Sequence, residues 1–162
     1  MKILSIAVAG TAAAGLLLTG ATAAQAGEVI KVGKGISNVK VGQSKKTVVR
    51  KLGLPLRTQS GVNQFGEYQI LTYPHTLTIT LVHKSVTNMT TESPAQRTRS
   101  GIGVGSTKQQ LRRTYSVRCE KVATQRHVQS CMIGRMTPGE IVTDFRLRRN
   151  VVRMVGIGTV LD

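Results

Sequence analysis

Tryptophan is absent from this 162-residue chain, and aromatic rings number five: Phe65, Tyr68, Tyr73, Tyr115 and Phe145. Base-stacking platforms and Trp- or Tyr-anchored protein interfaces both need exposed rings, so few are left for either once a core is built. Acidic residues are scarce too, seven against 23 lysines and arginines, for a formal net charge of +16. With so few carboxylates, and with His75, His83 and His127 scattered, no metal-ligating set emerges. No serine occupies a G-x-S-x-G elbow. With both cysteines expected to be paired, no thiolate is left to act as a nucleophile. The expectation is a protein with no catalytic residues and no cofactor.

What is present begins at the N-terminus. Lys2 precedes an apolar stretch from Ile3 to Leu18 and a small-residue tail ending in Ala24-Gln25-Ala26. This is the pattern of a secretory signal peptide, residues 1–26, cleaved after Ala26. No cysteine follows the apolar stretch, which excludes a lipid-modified start, and no stop-transfer pattern follows. Lys2 is the only charge among the removed residues, so the mature chain has 136 residues and a net charge of +15. An extracellular location is expected, and so is attraction to polyanions: cell-wall phosphate polymer, an acidic protein, or nucleic acid without sequence specificity.

The stretch G-I-G-V-G-S-T at 101–107 invites comparison with a phosphate loop. A Walker A loop requires G-x-x-x-x-G-K-[ST], but Gly105 is followed by Ser106-Thr107, with Lys108 after them. A better account lies 63 residues upstream. Val41-Gly42 aligns with Val104-Gly105, Ser44 with Thr107, Val48 with Leu111 and Leu52 with Tyr115. A constant offset with matched residue classes signals an internal repeat. Ser44 and Thr107 are expected N-caps, Thr107 forming a capping box with Gln110. Helices are predicted over 45–52 and 108–115, with Val48 and Leu111 inward and Gly53-Leu54-Pro55 stopping the first.

Alternating runs follow each helix. Tyr68–Tyr73, Leu77–Leu81 and Ser85–Thr90 are predicted strands in the first half. In the second, the candidates are Val117–Val122, Val128–Ile133, Ile141–Leu147 and Val151–Ile157. Residues 93–100, polar and holding Pro94, are expected to be a linker, and 27–36 a short strand, helix or arm. The expected fold class is α+β: two tandem repeats, 27–98 and 99–162, each a short helix followed by an antiparallel β-meander. Cys119 and Cys131 stand on the two arms of one predicted hairpin in an exported chain, which predicts a disulfide.

Residues 39–55, V-x-V-G-x-S-x-x-x-V-x-x-x-L-G-x-P, resemble the helix-start motif of the β-lactamase inhibitory protein repeat. They are also similar to that of small outer-membrane assembly lipoproteins of the same general fold. The resemblance implies tandem repeats whose sheets form one curved surface, and a cysteine-closed hairpin in the position of Cys119 and Cys131. This sequence departs from the inhibitor family in having no cysteine in its first half and few of the aromatic residues by which such inhibitors grip an enzyme.

The basic residues fall in three groups. Lys45, Lys46, Arg50 and Lys51 lie on the first helix, and Lys108, Arg112 and Arg113 on the second. Arg146, Arg148, Arg149 and Arg153 surround the last hairpin. Arginine forks suit phosphate and carboxylate, so these are the candidate anion-binding residues. The expected function is a secreted, non-enzymatic, basic binding module for an anionic cell-envelope or extracellular partner. The alternative is an inhibitor-like protein docking an acidic enzyme through its sheet, which requires a contiguous aromatic or apolar patch there.

Overall fold

Two short helices start at the two expected cap positions in the computed structural model, which describes residues 30–161. The expected signal segment, 1–26, lies outside the described residues. Helix α1 (Lys45–Leu52) is capped by Ser44, whose side chain accepts from the Thr47 amide. Helix α2 (Lys108–Thr114) is capped by Thr107 in a reciprocal box with Gln110. Two residues before each cap, Gly42 and Gly105 take φ of 83° and 92°, a region that side chains with a Cβ rarely enter.

Eight strands form one antiparallel sheet: β4 (Arg57–Asn63), β5 (Gly66–Thr72), β6 (Thr78–Val82), β7 (Ser85–Thr91), β8 (Arg118–Lys121), β9 (Val128–Ile133), β10 (Ile141–Arg148) and β11 (Val151–Thr159). Their spatial order is β4-β5-β6-β7-β11-β10-β9-β8, so the two meanders join through β7 and β11. Three two-residue strands, β1 (Ile30–Lys31), β2 (Gly35–Ile36) and β3 (Val39–Lys40), make a small separate sheet. The fold is α+β.

Strand alternation gives the large sheet one covered face and one open face. On the covered side, Cys119, Cys131, Phe145, Val155 and Thr91 lie in register across five strands. Val48 and Leu111, both fully buried, pack there with Leu71, Ile79, Met89, Phe145 and Ile157. Phe145 stacks on Tyr115, ring centroids 6.2 Å apart. On the open side, one register row runs Arg57, Thr72, Thr78, Thr90, Gly156, Asp144, Met132, Arg118. It is hydroxyl-rich and holds no aromatic ring.

Three features differ from the sequence expectation. Strand β4 was not predicted, because RTQSGVN does not alternate and six of its seven residues are exposed; its pairing with β5 makes it a strand. Residues 30–40 form three strands with a turn at Ser37-Asn38, both at positive φ. The expected linker, 93–100, is tied in. Ser93, Gln96 and Thr98 are buried: Ser93 N–H donates to Thr91 Oγ1 (3.1 Å), Ile102 N–H to Thr98 Oγ1 (3.1 Å) and Gln96 Nε2 to Ser37 Oγ (3.0 Å).

Candidate anion-binding clefts

The glycine-rich loop 101–107 holds a cation. The Arg97 guanidinium donates to the carbonyls of Gly101 (2.8 Å) and Val104 (3.2 Å), and to Ser106 Oγ at 3.4 Å. The loop's amides are spent elsewhere, Gly103 N–H on Ser106 Oγ (3.1 Å) and Gly105 N–H on Val152 O (2.9 Å). A phosphate-binding loop turns its amides toward the ligand; this one turns carbonyls inward to a guanidinium.

The same loop fastens α2 to the last hairpin. Val152 N–H donates to Ser106 O (2.9 Å), and Lys108 N–H to Asn150 O (2.8 Å). The hairpin turns at Arg149-Asn150, at φ of 52° and 63°, as a tight two-residue turn requires. Between helix and turn lies a groove of about 720 Å3 lined by Thr107, Lys108, Gln109, Arg112, Arg113 and Arg149, with Asn150 and Val151. Four cations line it and no carboxylate does. Lys108 is held in place by Nζ donating to Gln129 Oε1 at 2.6 Å. Arg112 and Arg113 also stand in the last turn of α2, where positive charge suits the helix dipole.

On the open face, a second cleft of about 400 Å3 collects Arg126, Arg146, Arg148 and Arg153, with Glu92 its one lining carboxylate. Arg146 and Arg148 project here because they alternate with the buried Phe145 and Leu147 on β10. Arg153 joins them at an irregularity in register, Arg146 facing Met154 while Leu147 faces Val152. Asp144 lies beside the cleft. Ser130 Oγ lies 2.5 Å from its Oδ1, and Arg146 Nη2 lies 3.7 Å from its Oδ2, the one ion pair among the described residues. Burial raises the Asp144 pKa above the ordinary carboxylate value, with the Ser130 hydrogen bond and the Arg146 charge acting against it.

The eleven basic residues singled out from sequence therefore divide three ways. Lys108, Arg112, Arg113 and Arg149 meet in the helix-side groove. Arg146, Arg148 and Arg153 meet in the open-face cleft. Lys45, Lys46, Arg50 and Lys51 join neither, and Lys51 is bonded to Asn38 O (2.6 Å) and Gln43 Oε1 (3.1 Å), which makes it a tie between α1 and the small sheet. Arg126 was missed by sequence reasoning. It sits in the expected Thr124–His127 turn, beside the last hairpin, where Arg149 N–H donates to His127 O (3.3 Å). Cys119 and Cys131 form a disulfide between directly opposed residues of β8 and β9. No helix among the described residues is long and apolar enough to cross a membrane.

No family model matches the sequence. No curated protein matches it either. Among solved structures, an extracellular protein containing an SCP domain from Bacillus anthracis is similar over 74% of this chain and 44% of its own, at 7% identity and a TM-score of 0.55. A cysteine-rich secretory protein from Staphylococcus aureus is similar over the same shares at 11% identity and a TM-score of 0.47. The uncharacterized protein YfeY from Escherichia coli is similar over 82% of this chain and 97% of its own, at 12% identity and a TM-score of 0.47. The chain spans less than half the length of the first two, and the likeness to the Bacillus anthracis protein is one of fold alone.

Proposed function

We propose that this protein is a secreted, non-enzymatic binding module for an anionic cell-envelope partner. The carrying observation is the helix-side groove, with Lys108, Arg112, Arg113 and Arg149 around it and no carboxylate among its lining residues. Cations brought together without counter-charges repel one another by roughly 0.2–0.5 kcal/mol per adjacent helix pair. An anion relieves that repulsion. The open face favours this reading over a docked enzyme, since the row from Arg57 to Arg118 carries three threonines and no ring, and Tyr68 is the one aromatic residue of the strands on that side.

We further propose that the chain is two copies of one helix-plus-meander unit, 27–98 and 99–162, as the resemblance to the inhibitory-protein repeat implies. The supporting observation is a matched set of backbone bonds. Gly42 N–H donates to Val86 O and Val86 N–H to Gln43 O; Gly105 N–H donates to Val152 O and Val152 N–H to Ser106 O. Each cap residue also bridges the tip-proximal end of a strand, Ser44 to Ser85 and Thr107 to Val151.

The test is binding of long-chain inorganic polyphosphate at graded salt, for the native protein and for the variant Arg112→Gln/Arg113→Gln. Counterion release makes affinity fall with salt, with a slope on duplex DNA of about −0.9 per neutralised phosphate. The native protein should lose orders of magnitude between roughly 50 and 200 mM salt if about six contacts form. The variant should bind at least tenfold more weakly at low salt, with a flatter slope and a cooperative melt within a few degrees of native, since Arg112 and Arg113 also meet the helix dipole. Equal affinity in variant and native protein would overturn the assignment of the groove.

A further inference from the structure

The two basic clefts are on opposite sides of one hairpin tip, and consecutive residues belong to them. Arg148 lines the open-face cleft, and Arg149 lines the helix-side groove. Their Cα atoms are one peptide apart, about 3.8 Å. The rim between the clefts is Arg148, Arg149 and Asn150, all exposed. Beside it, the β8–β9 turn is tied to the tip by the Arg149–His127 backbone bond and contributes Arg126 to the open-face side. Eight cations thus line two clefts that meet over a narrow ridge, and the lining carries one carboxylate, Glu92.

A compact anion would fill one cleft and leave the other unused. A stiff rod, such as a duplex, would lie along one face only. A flexible chain can fold over the ridge and occupy both. No aromatic ring lines either cleft, so nothing there would stack a base. Resting on the anion-binding reading above, we infer that the ligand is a flexible, base-free linear poly(phosphodiester), a polyol-phosphate type of chain, bent over the Arg148-Arg149-Asn150 tip so that one molecule fills both clefts.

Such engagement makes the second contact intramolecular, and linked sites commonly gain 10²–10⁴-fold without any new contact. The experiment compares tripolyphosphate with long-chain inorganic polyphosphate at equal phosphate concentration and low salt. Native protein should favour the long chain by about 10²-fold or more. Two variants separate the clefts: Arg112→Gln/Arg113→Gln on the helix side and Arg148→Gln/Arg153→Gln on the open face. In each, the long-chain advantage should fall to a few-fold, while tripolyphosphate binding drops only modestly because one cleft survives. A long-chain advantage that persists in both variants would mean independent clefts and would overturn the bent-chain inference, leaving the groove itself intact. No binding of either phosphate by native protein would overturn both readings. Single-stranded DNA of matched charge should bind no more tightly than polyphosphate; a base-dependent preference for DNA would defeat the base-free assignment.

Discussion

The amide of Lys108 donates to the carbonyl of Asn150 at 2.8 Å, joining the first turn of α2 to the tip of the last hairpin. Both walls of the helix-side groove are therefore one mechanical piece, set by where α2 begins. That start is fixed by the capping box, Gln110 N–H to Thr107 Oγ1 at 3.2 Å and Thr107 N–H to Gln110 Oε1 at 2.8 Å. Thr107→Ala should cost about 1 kcal/mol in urea unfolding. It should also weaken polyphosphate binding, although Thr107 carries no charge. Unchanged binding in a folded Thr107→Ala protein would separate the groove from the cap.

Val48 and Leu111 anchor their helices to the covered face, each with no exposed surface. Truncation leaves a cavity as well as losing transfer free energy. Val48→Ala and Leu111→Ala should each cost roughly 2–4 kcal/mol, the leucine more, by equilibrium denaturation. A cost under about 1 kcal/mol at Leu111 would mean that the site collapses around the smaller side chain.

The Cys119–Cys131 disulfide closes a 12-residue separation at the edge strand β8, which pairs with β9 alone. Cross-linking restricts the unfolded chain, and a loop of this size should contribute roughly 2–3 kcal/mol on the chain-entropy estimate. The double variant Cys119→Ser/Cys131→Ser should lose about that much stability. Its β8 amides should exchange with solvent sooner than those of β10 and β11, which are paired on both sides. Uniform exchange across all three strands would place the disulfide's effect on the whole sheet.

The helices, their caps, the inward residues and most strands were legible because the signals are local. Ser44 and Thr107 satisfy orphan amides, and the period changes from helical to alternating after each helix. Strand β4 was not legible, since Arg57–Asn63 is a strand through its partner rather than through its own pattern. The segment 93–100 looked like a linker because its residues are polar, yet Thr98 and Ser93 are buried through hydrogen bonds that composition does not reveal. For the clefts, sequence supplied the arginines but not their division. That division depends on the alternation of Arg146 and Arg148 with the buried Phe145 and Leu147, and on the turn that carries Arg149 to the other side. The signal for Arg126 was available in its turn beside the hairpin, but only the pairing of β9 with β10 brings the two together.

Asp144 offers a prediction whose direction is set by competing effects. Burial raises its pKa; the hydrogen bond from Ser130 and the charge of Arg146 lower it by less. A carboxyl with a folded pKa above its unfolded value of about 3.9 binds its proton more tightly in the fold. Its contribution to stability is fully present below the unfolded pKa and is lost as pH rises through the folded pKa. At neutral pH the ionised Asp144 is therefore a net cost to the fold. Asp144→Asn keeps a carbonyl to accept from Ser130 and removes the charge, so the variant should melt higher than the native protein at pH 7. The difference should shrink as pH falls and vanish below the ordinary carboxylate range, since both proteins then carry a neutral group. Melting curves across that range check this, because the other carboxylates are common to both proteins and cancel. A variant that melts lower at pH 7, by a margin that widens as pH rises, would show that the ion pair with Arg146 at 3.7 Å outweighs the cost of burial.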